Sequence, residues 1–213
     1  MRYLREGRKL LYVAAALPVF FIYLDKTIVL WIKRFYNELE IHRLFGFLDP
    51  LINFAGNGAT LVAVALTLYV AGRFFSQKMC RVGKSLLIGL VSSGIMVQAM
   101  KHLIGRARPR VTADPVFIGP SFRSGYDSFP SGHTTVVFCL AYILSRHFPR
   151  YKIAFYMFAS VVALDRVEDF AHFPSDILAG AVLGLIVAQI LFIKVFPSQG
   201  VGYAENTTES QHC

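Results

Sequence analysis

A chain of 213 residues that is 55% hydrophobic and only 16% charged carries more apolar surface than a soluble domain of this size can bury, so the surplus must face lipid. A formal charge of +9 suggests a nucleic-acid partner, but the basic residues gather at the edges of apolar runs, and that placement excludes this class. The chain therefore reads as one polytopic membrane domain, an all-α bundle at residues 1–196, followed by a polar tail at 197–213 that is expected to be disordered and cytoplasmic.

Apolar runs approaching the roughly 20 residues needed to cross a bilayer predict six transmembrane helices. They fall at 10–31, 54–72, 85–104, 133–148, 153–167 and 177–196. The first follows Arg8 and Lys9 as a signal peptide would, yet no small-residue cleavage site precedes Asp25 and Lys26, so it is kept as a span. Between the first two spans, Trp31, Phe35, Leu39, Leu44, Phe45, Leu48 and Leu51 recur at helical spacing among charged residues. This is the pattern of an interfacial amphipathic helix, either a connector or a lid over a lipid site, with Asp49-Pro50 and Gly56-Asn57-Gly58 marking the turn into the second span. The stretch 106–129 is too rich in Pro, Gly and Arg to sit in hydrocarbon and reads as a long outer loop of the kind that carries function. Basic residues of the N-terminal arm (Arg2, Arg5, Arg8, Lys9), of the loop at 73–84 and of the Arg146, Arg150, Lys152 cluster share one side, which predicts a cytoplasmic N-terminus and an outward-facing loop.

Three polar blocks interrupt the apolar chain: Lys101-x6-Arg108-Pro109, Pro130-Ser131-Gly132-His133, and Arg166-x5-His172-x3-Asp176. Lys101, Arg108 and Arg166 supply fixed cations for a phosphate. The first two share one face if the third helix persists through Gly105. Ser131 and Gly132 open an apolar run, the layout of a capped helix start, where free amides and the helix dipole bind anions. His133 is awkward at the top of a lipid-facing helix unless it titrates or donates. His172 and Asp176 lie four apart beside Pro174, so a hydrogen bond from one imidazole nitrogen to Asp176 can fix the tautomer and leave the other nitrogen nucleophilic. Cations rather than further carboxylates surround this pair, which argues against a metal. Asp165, Glu168 and Asp169 either pair with Arg106, Arg110 or Arg123 of the loop or form a solvated acidic face.

In order and spacing, the blocks resemble the signature of the type 2 phosphatidic acid phosphatase superfamily. One departure is Asp165, where the family usually carries Ser, and it puts the hydrogen bonding around Arg166 in question. The resemblance implies a lipid phosphatase needing no cofactor, with His172 attacking phosphorus to form a phosphohistidine and His133 protonating the departing oxygen. It implies a bacterial inner-membrane protein acting at the periplasmic face. Undecaprenyl diphosphate, phosphatidylglycerol phosphate, phosphatidic acid and lipid A are the substrates it suggests. A lipid phosphotransferase and a noncatalytic binder of anionic lipid are the alternatives. Two histidines in opposite protonation states, each starting near a pKa of about 6.5, predict a bell-shaped rate profile. The sequence carries no signal of oligomeric state.

Overall fold

The computed structural model describes residues 24–35 and 40–194, with side chains described outside 40–45. Among the described residues, seven α-helices follow one another: α1 (Asp25–Phe35), α2 (Glu40–Gly56), α3 (Gly58–Phe75), α4 (Gln77–Ile104), α5 (Gly132–His147), α6 (Lys152–Glu168) and α7 (Pro174–Lys194). A single 3-10 turn, Pro149–Tyr151, joins α5 to α6. The all-helical reading holds for the described residues, whose only extended pairing is an isolated bridge between Arg106 and Phe117.

Among the described residues, three helices, α3, α4 and α7, are long and apolar enough to cross a membrane. Of the other predicted spans, the fourth and fifth correspond to α5 and α6, which stop at 16 and 17 residues. Their lengths match the short spans expected, and local chemistry bounds α5: Ser131 caps its start, and Pro149 follows its end. Most of the first predicted span and the whole tail at 197–213 lie outside the described residues. The expected amphipathic helix falls on α1 and α2, and residues 36–39 of it lie outside the described residues. Pro50 lies within α2 and does not end it. The turn comes at Asn57, whose side chain accepts from the amides of Ala59 and Thr60 to cap α3.

The core is centred on α5. Val136, Val137, Cys139 and Ile143 are buried against Leu86 and Leu90 of α4, Val162 of α6 and Phe192 of α7. Large apolar side chains such as Phe74, Phe75, Ile153 and Met157 point outward, as a lipid-facing surface requires. Close packing of α5 on α7 depends on Gly184, where a Cβ would stand 2.2 Å from the Thr135 carbonyl oxygen. That contact sets the first turns of both helices side by side, and the Ser131 amide donates to the Asp176 carbonyl at 3.1 Å.

α4 begins earlier than expected and ends at Ile104. Gly105 takes a left-handed conformation (φ 60°) and caps the helix by donating its amide to the Lys101 carbonyl. A side chain there would strike the Gly119 carbonyl oxygen at 1.9 Å, so only glycine fits. The helix therefore does not persist to Arg108. The 106–129 loop folds back over the bundle instead, pinned by the Ala107 amide on the Val116 carbonyl at 2.9 Å and the Arg108 amide on the Gly125 carbonyl at 2.9 Å.

Candidate active site

The end of α4, the loop after it, the first turn of α5, the end of α6 and the turn that leads into α7 meet at one pocket of about 420 Å³. Lys101, Arg108, Gly132, His133, Arg166 and His172 all line it. Arg110 adds a fourth cation, and Ala59, Val97 and Val136 make an apolar wall. Residues from all three blocks are thus brought together across the chain.

Lys101 and Arg108 meet through Asp127 rather than on one helix face. Arg108 grips the Asp127 carboxylate with two nitrogens, Nε to Oδ1 at 2.8 Å and Nη2 to Oδ2 at 2.6 Å. Lys101 Nζ donates to the Asp127 backbone carbonyl at 2.8 Å. Partial burial pushes the Asp127 carboxyl up, but the hydrogen bonds and charge of Arg108, with the charge of Lys101, outweigh it and hold the group down at about 2. Arg166 is likewise engaged: it donates to Asp165, to Asn53 and, at 2.9 Å, to Asp49 Oδ1. Asp165 thus takes up the local bonding that the departure from the usual Ser left open. Asp169 lies 3.7 Å from Arg110, one of the loop pairings expected, while Arg106 pairs elsewhere.

Ser131 differs from its expected part as a phosphate ligand. Its side chain is fully buried and caps α5, accepting from the Thr134 hydroxyl at 2.9 Å, while its amide is spent on Asp176. The pocket wall at this turn is Gly132 and His133.

The relation of His172 to Asp176 also differs from the direct hydrogen bond expected. Nδ1 of His172 donates to the Ser128 carbonyl at 2.7 Å, and Asp176 Oδ2 stands 3.7 Å away. The reason is that the carboxylate is already full. Oδ2 accepts from the Phe173 amide at 2.8 Å and from the Ser128 hydroxyl at 2.5 Å, and Oδ1 accepts from Arg106. Ser128 is itself fixed by its amide on the Arg106 carbonyl at 3.0 Å. Asp176 therefore reaches the imidazole through Ser128. A carbonyl can only accept, so the proton sits on Nδ1 and Nε2 carries the lone pair. Burial lowers the pKa of His172 to about 4, with Asp176 opposing and Lys101 and Arg108 assisting, so the ring is neutral at pH 7. The starting value near 6.5 does not apply to this histidine.

Among the described residues, no group of three or more His, Cys, Asp or Glu is arranged to hold a metal ion. The sequence model of the PAP2 superfamily matches residues 82–199, which contain every block. The chain belongs to the PAP2 superfamily. Among curated PAP2 relatives, the lipid A 1-phosphatase of Rhizobium johnstonii is 34% identical over 152 residues, covering 64% of this chain and 62% of that one. The phosphatidylglycerophosphatase B of Bacillus subtilis is 33% identical over 128 residues, covering 55% and 59%. The chain thus spans less than two thirds of the length of these relatives. Two solved structures share the fold. The Bacillus subtilis PAP2-type phosphatidylglycerolphosphate phosphatase has a TM-score of 0.63 at 22% identity, covering 91% of this chain and 96% of that one. Aquifex aeolicus LpxE has a TM-score of 0.55 at 24% identity, covering 76% and 92%.

In this PAP2 chain, the polar residues that its motif blocks do not announce are Ser128, Asp127, Arg106, Asp25, Asp49 and Asn53. The available signals were positional. Asp127 and Ser128 directly precede Phe129 and the second block, Arg106 lies inside the first, and Asp25 is a lone carboxylate at the end of an apolar run.

Proposed function

We propose that this protein is a lipid phosphate phosphatase that works without a metal and removes a terminal phosphate from a membrane lipid. The observation that carries this reading is the convergence of Lys101, Arg108, Arg166, His133 and His172 on one pocket with an apolar wall. The three cations and the first-turn amides of α5 at Gly132 and His133 receive the phosphate. Nε2 of His172 attacks phosphorus, the bond from phosphorus to the lipid oxygen breaks, and His133 gives that oxygen a proton. Water then attacks the phosphohistidine, losing a proton to His133 and releasing inorganic phosphate with His172 restored. Asp176 keeps the nucleophile in place through Ser128.

The predicted charge bias puts the pocket on the periplasmic side of an inner membrane, in a six-span arrangement whose first span precedes α2. The names of the relatives direct the choice of substrate to lipid A carrying a 1-phosphate and to phosphatidylglycerol phosphate. Phosphatidic acid and undecaprenyl diphosphate complete the set to be tried. The test is phosphate release by the purified protein from each of these four lipids, beside His172→Ala. Release by wild type and none by the variant is expected. Release that survives His172→Ala rules out the nucleophile. No release from any of the four lipids favours a noncatalytic binder.

A further inference from the structure

Behind His172 lies a buried cluster that none of these chemical steps uses. Arg106 is fully enclosed; it donates through Nη1 to Asp176 Oδ1 and, at 2.7 Å, to the Ser175 hydroxyl, and through Nη2 to Asp25 Oδ2 at 2.6 Å. Asp25 is the first residue of α1, yet its carboxylate sits on the amino-terminal turn of α7. There it accepts from the Ser175 amide at 3.0 Å and from the Ser175 hydroxyl. A helix start favours an anion through its free amides and its dipole. Phe173 and Phe117 flank the guanidinium at 4.3 and 5.1 Å. Two carboxylates thus share one guanidinium, all out of water, in a geometry that suits arginine's planar fork.

We propose that Asp25 and Arg106 are positioning residues for His172: they hold Asp176, and through Ser128 the imidazole. Asp25 offsets the guanidinium, so Asp176 keeps negative charge to meet the positive charge that develops on the attacking ring. This rests on the reading of His172 as the nucleophile. Among the described residues, the charged and titratable groups around His172 are Lys101 from α4, Arg106, Arg108, Arg110 and Asp127 from the loop, His133 from α5, Arg166 from α6 and Asp176 from α7. Asp25 of α1 acts on the ring only through Arg106. Changing Arg106 or Asp25 therefore alters the charge behind the ring without touching the cations that line the pocket.

The test uses the full chain in detergent, with phosphate release followed from about pH 3.5 to 8 on whichever of the four lipids wild type turns over fastest. Arg106→Gln is expected to lower kcat by about tenfold or more with KM within about twofold, and to move the acid limb of kcat/KM up by about one pH unit, because a lost cation makes the ring easier to protonate. Asp25→Asn should lower kcat and move that limb down, because the guanidinium is then unopposed. Arg106→Lys should return the limb to its wild-type position while kcat stays depressed. General loosening of the fold moves neither limb and cannot move them in opposite directions. Limbs that stay put, or that shift the same way in both variants, overturn the proposal, as does a raised KM at unchanged kcat. If the charge variants do not fold, Ser175→Ala decides. It removes the hydroxyl between Asp25 and Arg106 and leaves every charge, so kcat should fall several-fold at unchanged KM; a wild-type kcat overturns the proposal. A wild type inert toward all four lipids overturns the reading of the site and this inference with it. An active wild type beside variants that match it overturns the inference alone.

Discussion

Replacing Ser128 by Ala probes the step from carboxylate to nucleophile most directly. The hydroxyl is fully buried and donates to Asp176 Oδ2 at 2.5 Å, while the backbone carbonyl that holds His172 Nδ1 survives the change. The variant therefore keeps the direct contact to the imidazole and removes only its coupling to Asp176. A hydrogen bond to a charged acceptor contributes about 1.5–3 kcal/mol. If most of that serves to keep the ring aligned during attack, kcat should fall between about 10- and 100-fold. KM should stay within about threefold, because no cation at the pocket has moved. The assay is steady-state phosphate release in mixed micelles, run beside a thermal unfolding scan in the same detergent. Asp176 retains the Phe173 amide and Arg106 as donors, so the unfolding midpoint should drop only modestly. A kcat equal to wild type, or a raised KM with kcat intact, refutes the coupling.

Three other outcomes are expected. Because burial holds His172 near a pKa of about 4, a proton competes for Nε2 only in strong acid. On that basis kcat/KM should be lost as pH falls through about 4, and an acid limb assigned to the enzyme near 6.5, after correction for ionisation of the substrate phosphate, contradicts the assignment. Gly184→Val drives a side chain against the Thr135 carbonyl and forces α5 from α7, so overpacking of about 1–3 kcal/mol should lower the unfolding midpoint, and an unchanged midpoint refutes that contact. Phosphate release should persist in excess chelator; a loss that added Mg²⁺ or Zn²⁺ restores would point to a metal and against catalysis by cations alone.

What could be read from the sequence was chemistry fixed by residue type at short range. Lys101, Arg108, His133, Arg166 and His172 face the same pocket because each block places them at an element boundary, where helix caps and Pro or Gly are visible in the letters. Ser131 was legible as a cap, which is what it is, but it is fully buried on Thr134 and does not line the pocket. The link from Asp176 to Ser128 joins residues 48 apart, and that from Asp25 to Ser175 joins residues 150 apart. Neither follows from periodicity, since each depends on how the long loop and α1 settle on the bundle. That Lys101 and Arg108 do not share one helix face has a related cause. Gly105 can continue a helix or stop it, and the stop is decided by Gly119 crowding it from a distant turn.

Arg166 is already held by Asp165, Asp49 and Asn53, two of which ride on α2. A phosphate that enters does not meet a bare cation; it trades places with carboxylates, and only the difference between the two sets of contacts favours occupancy. Since two of those groups belong to α2, an anion that takes the guanidinium competes with α2 for it.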